Sequence, residues 1–175
     1  MSMISSSCEH LHDVQHFTPQ DVAKRLEAAK EQSRLRGVRF TPLRQQIYTL
    51  VLQANKPVGA YDLITQLQQI RLESTDESAN KQTQKNVAPP TVYRSLEFLL
   101  SEGLIHQLTS LNAYVPCCHP RAQHTAAFLI CQHCQRVQEC SSLPVQEMMS
   151  FAEQDIGFVV DHSVIELSGR CQNCQ

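Results

Sequence analysis

Two Cys-x-x-Cys pairs constrain this chain more than any other feature: Cys131-Gln132-His133-Cys134 and Cys171-Gln172-Asn173-Cys174, with 36 residues between them. Such a pair makes a tight knuckle whose two sulfurs point at one ion, and two knuckles supply the four thiolates of a closed tetrahedral zinc site. A closed site leaves no position for a substrate, so its role is structural. The intervening stretch is long enough to run through strand, helix and strand and return. Two unrelated turns, or a thioredoxin-like redox pair, are the competing readings. The redox motif opens a helix after a strand, whereas polar residues follow each knuckle here.

Compartment decides what the eight cysteines are for. No apolar run reaches the roughly 18 residues of a membrane span. The start, MSMISSSCEHLHD, lacks the basic and then apolar pattern of a secretory signal. A cytoplasmic protein without membrane contact is therefore expected, and there metal binding is a better default than disulfides. The net charge of −2 does not argue for DNA, but its distribution does. Residues 22–57 carry eight Lys and Arg against two acids, a net +6, and residues 106–175 carry three Arg against six acids, a net −3. A basic N-terminal half beside an acidic remainder fits a DNA-binding module joined to something else, with a solvated basic helix face as the plain alternative.

Residues 1–17 read as a flexible tail. Thr18-Pro19-Gln20-Asp21 is a helix start, and Gly37 closes that helix. Thr41-Pro42 opens a second, with Leu43, Ile47, Leu50 and Val51 on one face. A third covers about 60–71 with Leu63, Ile64, Leu67 and Ile70 inward, and a polar loop follows from Glu73 to Ala88. Pro89-Pro90-Thr91 starts a fourth helix that buries Val92, Leu96, Leu99 and Leu100 and turns Tyr93, Arg94, Glu97 and Ser101 outward, until Gly103 ends it. Strands near 104–109 and 113–117, joined by Ser110-Leu111-Asn112, complete a winged helix-turn-helix over 18–118, with the fourth helix as major-groove reader.

Beyond a boundary at Cys118-His119-Pro120-Arg121 the pattern changes. Strands at 125–131, 136–140 and 158–168 and a helix at 143–156, with Val145, Met148, Met149, Ala152 and Ile156 inward, make a small α/β unit over 124–175. It is too small for much core of its own, so metal and a partner subunit are expected to compensate. The fold class is thus α+β: an N-terminal winged helix-turn-helix followed by a small α/β dimerisation domain. A second set of donors, His106, Cys117, His124 and Glu139, lies on or beside the strands of both parts. One thiolate, two imidazoles and one carboxylate are acceptable zinc ligands, although an isolated His is more often a hydrogen-bonded structural residue.

The run Ala88-Pro-Pro-Thr-Val-Tyr-Arg-Ser-Leu, then Gly103-Leu-Ile-His106, Tyr114-Val-Pro-Cys117, His124-Thr-Ala-Ala-Phe-Leu-Ile-Cys131 with Cys134, and the final Cys-x-x-Cys resemble the ferric uptake regulator family, and within it the zinc uptake branch, over about residues 18–175. The resemblance implies structural zinc on Cys131, Cys134, Cys171 and Cys174. It implies sensing zinc on His106, Cys117, His124 and Glu139, hence two Zn²⁺ per chain. It further implies a homodimer that binds palindromic double-stranded DNA when zinc-loaded and represses zinc uptake genes. The sensing set would draw ligands from both domains. Tyr61 resembles a family DNA contact. Arg94 suits a bidentate pair with guanine, Tyr93 a thymine methyl or a phosphate, and Arg36, Arg39 and Arg44 the backbone; Thr91 is placed with them.

Iron-sensing relatives carry a His-His-x-His cluster before the first knuckle, where this chain has Ala126, Ala127 and Phe128. That weakens an iron, manganese or peroxide sensor as the alternative, and Cys117 is a soft ligand favouring zinc. A zinc hydrolase or deaminase needs an open metal position; the His-x-Glu and Pro-Cys-x-x-Cys of a deaminase are absent. No enzymatic activity and no small-molecule substrate are therefore expected. His162, Cys118, His119, Cys140 and the tail residues Cys8, His10, His12 and His16 are read as spectators that could substitute as ligands, and His133 as exposed.

Overall fold

The computed structural model describes residues 11–13, 17–73, 87–120, 126–140, 145–159 and 163–175, the first three by their backbone. Its elements are β1 (Leu11–Asp13), α1 (Pro19–Leu35), α2 (Pro42–Gln53), α3 (Ala60–Glu73), α4 (Pro89–Ser101), β2 (Ile105–Leu108), β3 (Ala113–Pro116), β4 (Ala127–Cys131), β5 (Val137–Cys140), α5 (Val145–Gln154), β6 (Ile165–Gly169) and a 3₁₀ turn, Gln172–Cys174. They form two compact units: Gln15–Arg121, and Ala122–Gln175 together with Met1–Val14. The architecture is α+β, helical in the first unit and sheet-centred in the second.

In the helical unit the sequence signals act where they stand. Thr18 caps α1 in a capping box with Asp21: the Asp21 N–H donates to the Thr18 hydroxyl (3.2 Å), and the Thr18 N–H donates to the carboxylate (3.0 Å). That pairing holds the Asp21 carboxyl below its ordinary range. Thr41 caps α2 through the Arg44 N–H. α4 needs no side-chain cap, because Pro89 and Pro90 have no N–H to satisfy. Gly37 supplies the positive φ (68°) after α1.

Four helices close around Ile47, Tyr48, Val51, Leu52, Leu63, Leu67, Val92, Leu96 and Leu99, all at or near zero exposure. Each such side chain contributes about 1.5–3 kcal/mol by leaving water. Ile70, expected inward, is instead exposed near the end of α3. β2 and β3 pair antiparallel from Ile105↔Pro116 to Leu108↔Ala113. Val58, from the turn before α3, exchanges two hydrogen bonds with Tyr114 (3.1 and 2.9 Å) and so ties the wing to the helices. The C-terminal ends of α1 and α4 are joined by Arg36, whose guanidinium reaches the buried Glu102 carboxylate at 2.9 Å.

The second unit is one four-stranded sheet in the order β1-β5-β4-β6, with β1–β5 and β5–β4 antiparallel and β4–β6 parallel. α5 lies in the crossover that the parallel pair requires. Three features depart from the sequence reading. The stretch read as tail contains β1, which pairs with β5 from Leu11↔Cys140 to Asp13↔Gln138. Of the α5 residues expected inward, Val145 is buried, but Met148 is 64% exposed; Ile156, beyond the helix, is 66% exposed. The last strand also starts later than expected, at Ile165, leaving Phe158 and Val159 exposed. Helical spacing identifies an apolar face; it does not identify what covers that face.

Candidate metal centre and nucleic-acid interface

The first knuckle is the turn between β4 and β5. Cys131 ends β4, the chain reverses through Gln132–Cys134, and Gln135 takes a left-handed φ of 58° to re-enter the sheet. Two backbone bonds close the reversal, Gln135 N–H to Cys131 O (2.8 Å) and Cys131 N–H to Arg136 O (2.9 Å). The second knuckle follows β6, whose parallel pairing with β4 ends at Cys131↔Gly169. That register carries Cys171 past the end of β4. The Gln132 N–H donates to Gly169 O at 2.9 Å, and the Cys171 N–H reaches Cys131 Sγ at 3.4 Å.

The sulfurs of Cys131, Cys134, Cys171 and Cys174 consequently lie within 4.8 Å of one another. The Cys134–Cys171 separation of 3.7 Å matches the edge of a zinc tetrathiolate tetrahedron, about 3.8 Å for Zn–S bonds of about 2.3 Å. The donor set therefore fits zinc. Electrostatics agree. Backbone N–H groups of Cys134 and Cys171 pull the Cys131 thiol down to about 5. The Cys174 thiol is pushed up to about 12, first by its hydrogen bond to Cys171 and by burial. One thiol gives up its proton readily and another holds it until a cation offsets the crowded negative charge. Arg136 and Arg170, which line the adjoining cleft with Cys131 and Cys171, are the only Lys or Arg among residues 122–175.

Of the second donor set, His106 stands on β2 and Cys117 immediately follows β3; their ligand atoms lie within 4.8 Å of each other, with Cys117 buried. Glu139 is a buried carboxylate on β5. His124 lies outside the described residues, as do His162, Cys8, His10 and His16; of His12 the backbone alone is described. Cys118 and His119 are half-buried, Cys140 is buried and His133 is exposed.

The face expected to meet DNA is open. Tyr61 at the start of α3 is 73% exposed and Tyr93 on α4 is 38% exposed; Thr91, Arg94 and Arg39 are exposed as well. Arg36 and Arg44 also brace the scaffold. Arg36 pairs with Glu102, and Arg44 lays its guanidinium 3.6 Å from the Phe98 ring centroid and donates to the Arg39 carbonyl. Sequence reasoning missed both Glu102, a carboxylate buried at the end of the fourth helix, and Arg25. The Arg25 guanidinium lies 4.3 Å from the Phe17 ring centroid and donates to the Cys117 and Cys118 carbonyls. No spacing rule marks a contact across that much chain.

Comparison with known proteins gives a concordant picture. The family model described as "Ferric uptake regulator family" matches residues 35–168. The zinc uptake regulation protein of Escherichia coli (strain K12) is 34% identical over 140 residues, 79% of this chain and 74% of its own. A zinc uptake regulator solved in complex with zinc and DNA superposes with a TM-score of 0.73 at 32% identity, over 90% of this chain and 95% of that one. The crystal structure of holo XcZur gives 0.69 at 34% identity, over 86% and 96%.

Proposed function

Because the chain belongs to the ferric uptake regulator family, we propose that it is a zinc-responsive transcriptional repressor that binds operator DNA. The observation that carries this reading is the winged helix whose fourth helix turns Tyr93 and Arg94 to solvent, in a chain similar to a zinc uptake regulator solved with zinc and DNA. It acts as a DNA-binding regulator and not as an enzyme, in the cytoplasm and as a homodimer. Palindromic operators and the repression of zinc uptake genes belong to the same reading. The exposed apolar residues of α5, Met148 and Phe151, supply a surface for the second copy.

Cys131, Cys134, Cys171 and Cys174 would hold structural zinc, which supplies a four-way cross-link in place of a core. His106, Cys117, His124 and Glu139 are assigned to a second, regulatory zinc, giving two per chain. The thiolate and the carboxylate match the ion's two charges, so little is left uncompensated. Regulation then requires only that the loaded state favour the DNA-competent conformation; a bias of about 5.5 kcal/mol moves a population from 1:99 to 99:1. On DNA, Arg94 would pair with guanine O6 and N7, and Tyr61, Thr91 and Tyr93 would contact base edges or phosphate. Arg39 would hold the backbone, with Arg36 and Arg44 beside it.

A zinc-buffered DNA titration of wild type against Cys117→Ser tests the assignment. Serine keeps the size, but its hydroxyl stays protonated near neutral pH and ligates zinc poorly. The variant is expected to stay folded, lose about one zinc per chain and bind DNA at the metal-free level whatever the zinc concentration. An undiminished zinc response would remove Cys117 from the regulatory set.

A further inference from the structure

We infer that Arg25 is a positioning residue for the Cys117 ligand loop, coupling helix α1 to regulatory metal binding; this rests on the reading of Cys117 as a ligand. The segment after β3 is held from two sides. The Cys117 N–H donates to Leu104 O at 3.1 Å. On the other side a single guanidinium spans two successive carbonyls, Arg25 Nη1 to Cys117 O at 2.8 Å and Nη2 to Cys118 O at 3.1 Å. Two bonds from one rigid plane to adjacent carbonyls fix the orientation of both peptide groups, and with them the direction in which the Cys117 Cα–Cβ bond leaves the chain. The plane is itself held, with its central carbon 4.3 Å from the Phe17 ring centroid. Phe17 directly precedes Thr18, the N-cap of α1.

The arrangement is a chain of contacts from the capped start of α1, through Phe17 and Arg25, to the backbone of a buried cysteine. It pre-orders the thiolate before metal arrives and removes a conformational cost from binding. Partners that orient a ligand without touching the metal are worth about 10- to 100-fold in metal affinity.

Three variants of the full chain, Arg25→Gln, Arg25→Lys and Cys117→Ser, are compared by DNA binding across buffered free zinc, by zinc content and by thermal melting. For Arg25→Gln the free-zinc midpoint is expected to rise about 10- to 100-fold. DNA affinity at saturating zinc, the zinc held by the four-cysteine site and the melting temperature should stay near wild type. Arg25→Lys, which keeps the charge but not the fork, should fall between the two. A purely structural role for Arg25 predicts the opposite split: a lowered melting temperature and weaker DNA binding even at saturating zinc, with an unmoved midpoint. That outcome overturns the inference. If Cys117→Ser abolishes the zinc response while both Arg25 variants keep the wild-type midpoint, the ligand assignment stands and the coupling fails. If Cys117→Ser responds like wild type, the ligand assignment fails and takes the coupling with it. Should Arg25→Gln not fold, the Arg25→Lys midpoint decides.

Discussion

Among the described residues the helical unit buries 22 apolar side chains and the sheet unit seven, two of which are cysteines. The helical unit is organised around Leu63, Leu67, Leu96 and Leu99, and its helix ends are closed by local caps. The sheet unit has Phe128, Ile130, Val137 and Val145 at its centre, while Met148 and Phe151 stay open on α5 and four sulfurs converge at one end of its strands. Apolar burial near 25 cal/mol per Å² sustains a four-helix assembly, but a four-stranded sheet with one short helix lacks the area. On the proposed reading, a metal cross-link and a second copy of the chain would take the place of core there. The difference separates sensitivities: one unit should respond to cavities, the other to chelators.

The largest expected effect is on the sheet unit. Cys131→Ser, or zinc removal by a strong chelator, should unfold or monomerise the sheet unit, while the helical unit keeps its far-ultraviolet helix signal. Dimeric Cys131→Ser protein with full zinc content would break the comparison. The converse change is Leu99→Ala. It opens a cavity in the helical core and should cost about 2–5 kcal/mol, read as a fall in the helical melting transition with the zinc of the four-cysteine site unchanged. Loss of the zinc held by the four cysteines from that variant would show that the two units do not separate as described.

A smaller effect bears on DNA and leaves both folds alone. Arg94→Ala should cost about 1–3 kcal/mol of operator binding and relax preference at one position. Arg39→Ala should weaken binding to all sequences alike and reduce its salt dependence. Unchanged affinity and preference in Arg94→Ala would take base reading away from α4. The smallest effect is at the first helix. Thr18→Ala should cost about 1 kcal/mol. Because the Asp21 carboxyl is lowered by its bond to the Thr18 side chain, the part of the capping contribution made through that carboxylate is present above the ordinary carboxylate range and is lost as pH falls through the lowered value. The difference between Thr18→Ala and wild type should therefore narrow in acid, as followed by melting temperature.

What the sequence disclosed divides along local and non-local lines. Helix starts were legible because Thr18, Thr41 and Pro89 act on their own neighbours, and helix ends because Gly37 and Gly103 provide positive φ. The knuckles were legible because ligand spacing is a local rule, and the outward face of α4 because its apolar residues recur at helical intervals. β1 was not legible: three residues carry no period, and their strand exists because β5 offers an edge. Met148 was misplaced because the polarity of a face does not name its cover. Arg25 and Glu102 owe their roles to partners far along the chain, which no window of sequence contains.

The pairing of β1 with β5 bears on how the molecule assembles. The strand that contains Leu11 and the strand that contains Cys140 belong to one sheet, so the entire helical unit is an insertion between two pieces of the other. Closing that sheet means joining ends separated by most of the chain, and the entropy of so large a loop is spent before any edge bond forms. A helical unit that has already condensed shortens the loop. That topology predicts helices first, the knuckle-bearing strands next, and the N-terminal strand last, zipped onto an edge whose open N–H and C=O groups would otherwise invite another chain. Rapid dilution from denaturant should accordingly leave a late, concentration-sensitive phase in which pairing within the molecule competes with aggregation.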